Sequence, residues 1–112
     1  MSNPSKQRGT SFESSLLPLL DRWYDGATRS PLMGSGDRGD FILPGESRFV
    51  LEAKNVKIMA LPQWLREAKK EADNAGAIAG AVVHKRKGVT APGSQYLTMT
   101  LGDFLMVVNR ER

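Results

Sequence analysis

Residues 39 to 55 read GDFILPGESRFVLEAKN, and this stretch decides the fold. Two short β-like runs, DFIL and SRFVLEAK, flank a turn, PGES. Their apolar residues are strand formers, and the Pro-Gly pair between them predicts a hairpin with a loop of several residues. Acidic residues interrupt both runs. Side chains alternate between the two faces of a strand, so Glu52 and Lys54 share one face with Val50, and Phe49, Leu51 and Ala53 share the other. A hairpin symmetric about Glu46 sets Asp40 opposite Glu52. Directly opposed residues share a face, so this geometry gathers two carboxylates and one ammonium at one spot.

Two opposed carboxylates repel unless a cation lies between them. A hard divalent ion answers that need. Mg²⁺ takes one or two carboxylates together with waters and a phosphate oxygen. Lys54 is then placed to orient or deprotonate a water, or to stabilise charge on a phosphate, which is the chemistry of phosphodiester hydrolysis. The competing reading is a solvated surface hairpin, since an acid followed two residues later by Lys is a common pattern.

Outward from the hairpin, the chain reads as one domain of α/β class. Helical spacing begins at TSFESSLLPLLDRWY, where Phe12, Leu16, Leu19 and Trp23 recur, as do Leu17, Leu20 and Tyr24. Thr10 and Glu13 fit a capping box, and Pro18 predicts a kink or a late start. The segment 25–39 is rich in turn formers, with a short strand at Thr28 and Arg29 and a loop through MGSGDRG. ALPQWLREAKKEADNAG is the clearest helix, with Pro62 in its first turn, Leu61, Leu65, Ala68 and Ala72 as its apolar stripe and Gly76 at its end. AIAGAVVHK reads as a buried strand, RKGVTAPGS as a basic turn region, QYLTMTL as an alternating strand and LGDFLMVV as a terminal helix. Residues 1–9 are expected to form a flexible basic arm and 10–112 the single folded domain.

The 112 residues include no cysteine, which excludes disulfides and thiolate metal sites and points to a reducing compartment. The formal charge of +4 fits a polyanionic partner without requiring one. No apolar run reaches the roughly 18 residues of a membrane span, and the polar start MSNPSKQRG lacks a signal-peptide core. A soluble intracellular, cytoplasmic protein is expected.

Taken in order, these segments resemble the PD-(D/E)xK nuclease superfamily, and more closely the archaeal-type Holliday-junction resolvases and their phage-encoded relatives. KQRGTSFESSLLPLL resembles the family's opening, a basic residue and Gly ahead of a helical Glu. TRSPLMGSGDRGDFIL resembles its Arg, Gly-Ser loop and Asp-bearing strand. FVLEAKN resembles its Glu-x-Lys strand, LPQWLREAKKEADNAGAIAGAVVHKR its following helix and strand, and LGDFLMVV its terminal helix. The departure is Gly39, which stands where the name-giving proline would be.

The resemblance implies a restriction-endonuclease-like fold, a central mixed β-sheet flanked by α-helices. It implies metal ligation by Glu13, Asp40 and Glu52, a catalytic Lys54, and Ser35 near the scissile strand. Mg²⁺ is the implied cofactor, with Mn²⁺ able to substitute. The implied enzyme is a structure-selective endodeoxyribonuclease of DNA recombination and repair that resolves four-way junctions by paired cuts, leaving 5′-phosphate and 3′-hydroxyl ends. It would act as a homodimer on branched double-stranded DNA, in a host cytoplasm if phage-encoded. A related nickase or flap or repair endonuclease, and a non-catalytic nucleic-acid-binding protein, are the alternatives.

Glu13 also lies with Leu16, Leu17 and Leu20 on one helical face, at the edge of an apolar stripe, where a purely capping role competes. Lys6, Arg8, Arg29, Lys57, Lys85, Arg86 and Lys87 are the candidate phosphate contacts. Asp37 reads as a loop acid, Gln63 as a solvated helix residue and His84 as a strand-end or surface residue. Trp64, Met59 and the terminal FLMVV are the apolar candidates for a dimer surface.

Overall fold

The structure, a computed structural model, describes residues 4–31 and 38–110. The chain runs α1 (Pro4–Trp23), β1 (Thr28–Arg29), β2 (Phe41–Ile42), β3 (Phe49–Lys54), α2 (Leu61–Ala75), β4 (Ala79–His84), a 3-10 turn (Pro92–Ser94), β5 (Tyr96–Thr98) and α3 (Leu101–Asn109). It is an α/β arrangement, as expected, with a mixed sheet and flanking helices.

The five strands do not form one sheet. β3, β4 and β5 form a three-stranded sheet in that order, β3 parallel to β4 and β4 antiparallel to β5. β1 and β2 form a separate antiparallel pair, with Thr28 opposite Ile42 and Arg29 opposite Phe41. The expected β2–β3 ladder is therefore absent among the described residues. The turn between them is drawn tight by a Glu46 N–H to Leu43 O bond of 3.0 Å, and β2 turns toward β1 instead.

Alternation along β3 and β4 sorts two cores. Leu51, Ala81 and Val83 face α1, where Phe12, Leu16, Phe41 and Leu43 complete a buried cluster. Val82 faces α2, against Trp64 and Ala68. The sheet is thus a middle layer, and Glu52, which pairs with Val82 in the register, lies on its α2 side. α2 runs back from the end of β3 to the start of β4. Pro62 starts it without losing a needed N–H, and Gly76 ends it in the left-handed region at φ 71°, its N–H reaching Ala72 O and Asp73 O.

α2 seats closely because of Gly80. A Cβ at this position would lie 2.3 Å from the backbone C and O of Ala68. The small pair Gly80 and Ala68 thereby sets the helix-to-sheet distance, and with it the reach of every α2 side chain.

Several expectations change here. Residues 4–9 belong to α1 and not to a separate arm, because Pro4 suits a helix start and Lys6, Gln7 and Arg8 are good helix formers. Thr10 then lies inside the helix and cannot act as its N-cap. Pro18 is exposed and the helix runs through it uninterrupted. The buried face of α1 carries Phe12 and Leu16 with Leu20 and Tyr24 packed behind, so Trp23 falls outside it, 78% exposed. Trp64, by contrast, is buried in the α2 core and is not available as an interface residue.

The 43–48 turn is tied to α1 by one carboxylate. Glu46 accepts from the Tyr24 hydroxyl (2.7 Å) and from Arg48 at Nε, Nη2 and the backbone N, each at 2.9 Å. The Arg48 hydrogen bonds hold Glu46 down to about 2 against the opposing effect of its burial. Burial first, and then the bond to Glu46, push Tyr24 up to about 12.

Two outcomes are expected. Gly80→Ala destabilises the protein by about 1–3 kcal/mol or more in urea denaturation, because backbone must shift to admit the methyl group. A lowered carboxylate stabilises the fold above its unfolded value of 4.5 and loses that contribution as pH falls through about 2. The stability difference between wild type and Glu46→Gln should thus be on the order of 1–2 kcal/mol at neutral pH, allowing for solvent at Arg48, and should vanish between about pH 5 and 2.

Candidate active site

Asp40 joins the two sheets. Its N–H donates to Leu51 O (3.0 Å), its carbonyl accepts from Ser30 N–H (2.8 Å), and its Oδ2 accepts from Ala53 N–H (2.8 Å). The carboxylate is thereby drawn onto β3 beside Glu52. The hairpin symmetry that suggested this neighbourhood is not the cause, since Asp40 is anchored by Leu51 and Ala53.

Gly39 makes the approach possible. It is buried at φ +101°, and a Cβ there would stand 3.2 Å from both Leu51 O and Val50 Cβ. Proline is locked near φ −65° and cannot adopt this conformation. Glycine rather than proline at position 39 is thus what this backbone requires.

Glu52 is 5% exposed. Burial, then hydrogen bonding to Asp40 and to Glu71, and then their charges, drive its carboxyl far above the ordinary carboxylate range. The protonated form of Glu52 is thereby favoured. Glu71 comes from α2 and was not among the sequence candidates. Lys54, one alternation further along β3, places its ammonium 3.4 Å from Glu67 Oε1, and Gln63 Nε2 donates to Glu67 Oε2 at 3.2 Å. α2 therefore serves the site through Gln63, Glu67 and Glu71, spaced at i, i+4 and i+8 on one face. That spacing is visible in the sequence, beside the buried Trp64–Ala68–Ala72 stripe, and was the signal available for Glu67 and Glu71.

The other candidates are placed as follows. Glu13 pairs at 3.2 Å with Arg29, the β1 residue opposite Phe41. Among the described residues no group of three or more histidine or acidic side chains is arranged to hold a metal ion. Ser35 and Asp37 lie outside the described residues, as does the Lys6 side chain.

Of the basic candidates, Lys57 and Lys87 are exposed. Arg8 is half-buried, and its carbonyl accepts from Asn55 (3.4 Å). Lys85 donates to the carbonyls of Arg86 and Val89 and so closes its own turn. Arg86 lies 4.4 Å over the Tyr96 ring and donates to Ser94 O at 3.0 Å. His84 ends β4 as expected but is buried, its Nε2 2.7 Å from Thr98 Oγ1 and its ring between Trp64 and Tyr96. Burial lowers its pKa, so it is a neutral packing residue at physiological pH.

The donor set fits a hard divalent cation of the two-carboxylate kind. Asp40 and Glu52 are in hydrogen-bonding contact, one of them buried, and a cation between them would offset the burial and the repulsion that now hold a proton there. Comparison with protein-family models, with curated proteins and with solved structures found no match.

A raised carboxyl contributes fully to stability only below its unfolded value and costs stability as pH rises above it. Glu52→Gln keeps the shape and removes that cost. In metal-free buffer at pH 7 the variant should be more stable than wild type by on the order of 1–3 kcal/mol, and the gain should fade toward pH 4. Equilibrium unfolding of both proteins across that range measures it.

Proposed function

We propose that the chain is a Mg²⁺-dependent, structure-selective endodeoxyribonuclease that resolves four-way DNA junctions by paired phosphodiester hydrolysis. The observation that carries this reading is the contact of Asp40 with the buried Glu52, with Lys54 on the same strand face. Buried acid pairs are expensive unless they serve a cation. The order of motifs along the chain supports the choice of substrate.

In this reading Asp40 and Glu52 hold Mg²⁺, and the ion supplies Lewis-acid polarisation of the phosphodiester and a water of lowered pKa. Ala53 N–H fixes the Asp40 carboxylate in place, so its geometry is set before substrate arrives. Lys54, held by Glu67, presents positive charge where the phosphate gains negative charge. Lys57 and Lys87 are exposed cations that could contact the DNA backbone. A junction has two-fold symmetry, and a homodimer supplies the two matched sites that paired cutting needs. The protein would meet its DNA in the cytoplasm. Among the described residues no helix is long and apolar enough to cross a membrane.

A labelled four-way junction and its matching linear duplex, each with Mg²⁺ and with EDTA, test the proposal. Paired cuts near the crossover are expected with Mg²⁺ alone. Asp40→Asn can still accept from Ala53 N–H, so it should fold, and it should cut at least on the order of 100-fold more slowly. Equal cutting of linear duplex would move the substrate to nicked or flapped DNA. Junction binding without cutting, indifferent to Mg²⁺, would sink the enzymatic reading.

A further inference from the structure

The cross-strand row that begins at Lys54 ends on an exposed aromatic ring. Lys54 is paired with His84 in the β3–β4 register, and His84 with Tyr96 in the β4–β5 register. Directly opposed residues share a face. The ring contacts agree, with His84 lying 6.2 Å from Trp64 of α2 and 6.1 Å from Tyr96 in a T-shaped contact. All three members of the row therefore lie on the α2 side of the sheet, the side of Glu52. Two strand spacings set the Lys54 and Tyr96 backbones about 10 Å apart. His84 is buried, yet Tyr96 on the edge strand is 55% exposed.

The ring is fixed by its own turn. The Arg86 guanidinium stands over one face, 4.4 Å from the ring centroid, and donates to Ser94 O at 3.0 Å. Gln95 cross-links the same turn. Its Oε1 accepts from the Arg86 N–H at 2.7 Å, and its Nε2 donates to Val89 O at 2.9 Å and to Ala91 O at 3.1 Å. With Arg86 on one face and His84 beside the ring, the opposite face is the surface left for a flat partner.

We infer that Tyr96 is a stacking site for one unpaired nucleobase of the DNA, close to the strand that is cut. The inference deepens the nuclease reading and rests on it. Chemistry selects the occupant. An aromatic face stacks on any base, and an arginine at such a site adds cation–π attraction. Lys54 at the start of the row, and the exposed Lys87 next to Arg86 in the turn, supply the charge that the flanking phosphates need. An intact duplex keeps its bases stacked and paired, whereas a branch point, flap or bulge releases one at little cost. Tyr96 thereby favours branched DNA over linear duplex.

Fluorescence anisotropy in EDTA reads binding apart from cleavage. The probes are a duplex with one bulged adenine nucleotide, the same duplex with that nucleotide abasic, and the fully paired duplex. Wild type should bind the adenine bulge at least about tenfold more tightly than the abasic one, which has the same backbone and no ring. Tyr96→Ala should bind the two bulges alike and keep its affinity for the paired duplex within about twofold, since the phosphate contacts remain. Tyr96→Leu, which keeps apolar bulk on the edge strand, should behave as Tyr96→Ala does, and Tyr96→Phe should retain the preference. Circular dichroism of each variant should match wild type. A wild type that binds both bulges equally overturns the inference. So does a folded Tyr96→Leu that still prefers the adenine bulge, or a Tyr96→Ala that weakens all three DNAs equally, the mark of a structural role. A wild type that cuts junctions without any adenine preference loses the stacking site and keeps the nuclease. One that prefers the adenine bulge and cuts nothing does the reverse.

Discussion

The hydrogen bond from Ala53 N–H to Asp40 Oδ2 is the interaction on which the site depends. With the Asp40 N–H to Leu51 O bond it fastens the small β1–β2 sheet to the edge of the larger one. A backbone donor on an edge strand needs a partner, and here an acidic side chain supplies it. The same carboxylate is thereby brought against Glu52. Architecture and chemistry share one residue, which is why an amide at position 40 separates the two roles and an alanine would confuse them.

From that seam the electrostatics follow. Glu52 is buried under α2, whose distance from the sheet is set by Gly80 against Ala68. At that distance Glu71 and Glu67 reach the β3 residues two apart, Glu71 to Glu52 and Glu67 to Lys54. An antiparallel helix advances about 6 Å over four residues and a strand nearly 7 Å over two, so the i, i+4 pair on α2 matches the i, i+2 pair on β3. The match places a negative group beside each of Glu52 and Lys54. It holds the Lys54 ammonium beside Glu67 and keeps Glu52 among acids. A loosened α2, as in Gly80→Ala, would therefore disturb the site without touching any residue in it.

A second carboxylate, Glu46, shows the opposite electrostatic result. It is half-buried where Glu52 is buried, and Arg48 grips it through both guanidinium and backbone, so it stays ionised. Burial raises both carboxyls, and at Glu46 the Arg48 hydrogen bonds outweigh it. Glu46 secures the turn that leads into β3 and has its charge satisfied. Glu52 has only acids for neighbours among the groups that shift it, the usual mark of a functional carboxyl rather than a structural one.

Much of this was legible in the residues themselves. Alternation along FVLEAK put Glu52 and Lys54 on one face, and the Pro62 start and Gly76 stop bounded α2, because these are local constraints of backbone geometry. The closeness of Asp40 to Glu52 was also expected, though from a hairpin ladder that does not form. What only the tertiary structure decided depends on which surfaces meet. Trp64 and Trp23 have equally apolar side chains, and packing alone buried the first and exposed the second. The i, i+4 row of Gln63, Glu67 and Glu71 became a wall of the site only when Gly80 admitted the helix. Glu13, set at the edge of an apolar stripe, was claimed by Arg29, a residue sixteen positions away in the chain. Local sequence specifies the elements and their faces; long-range contacts choose the partner of each charge.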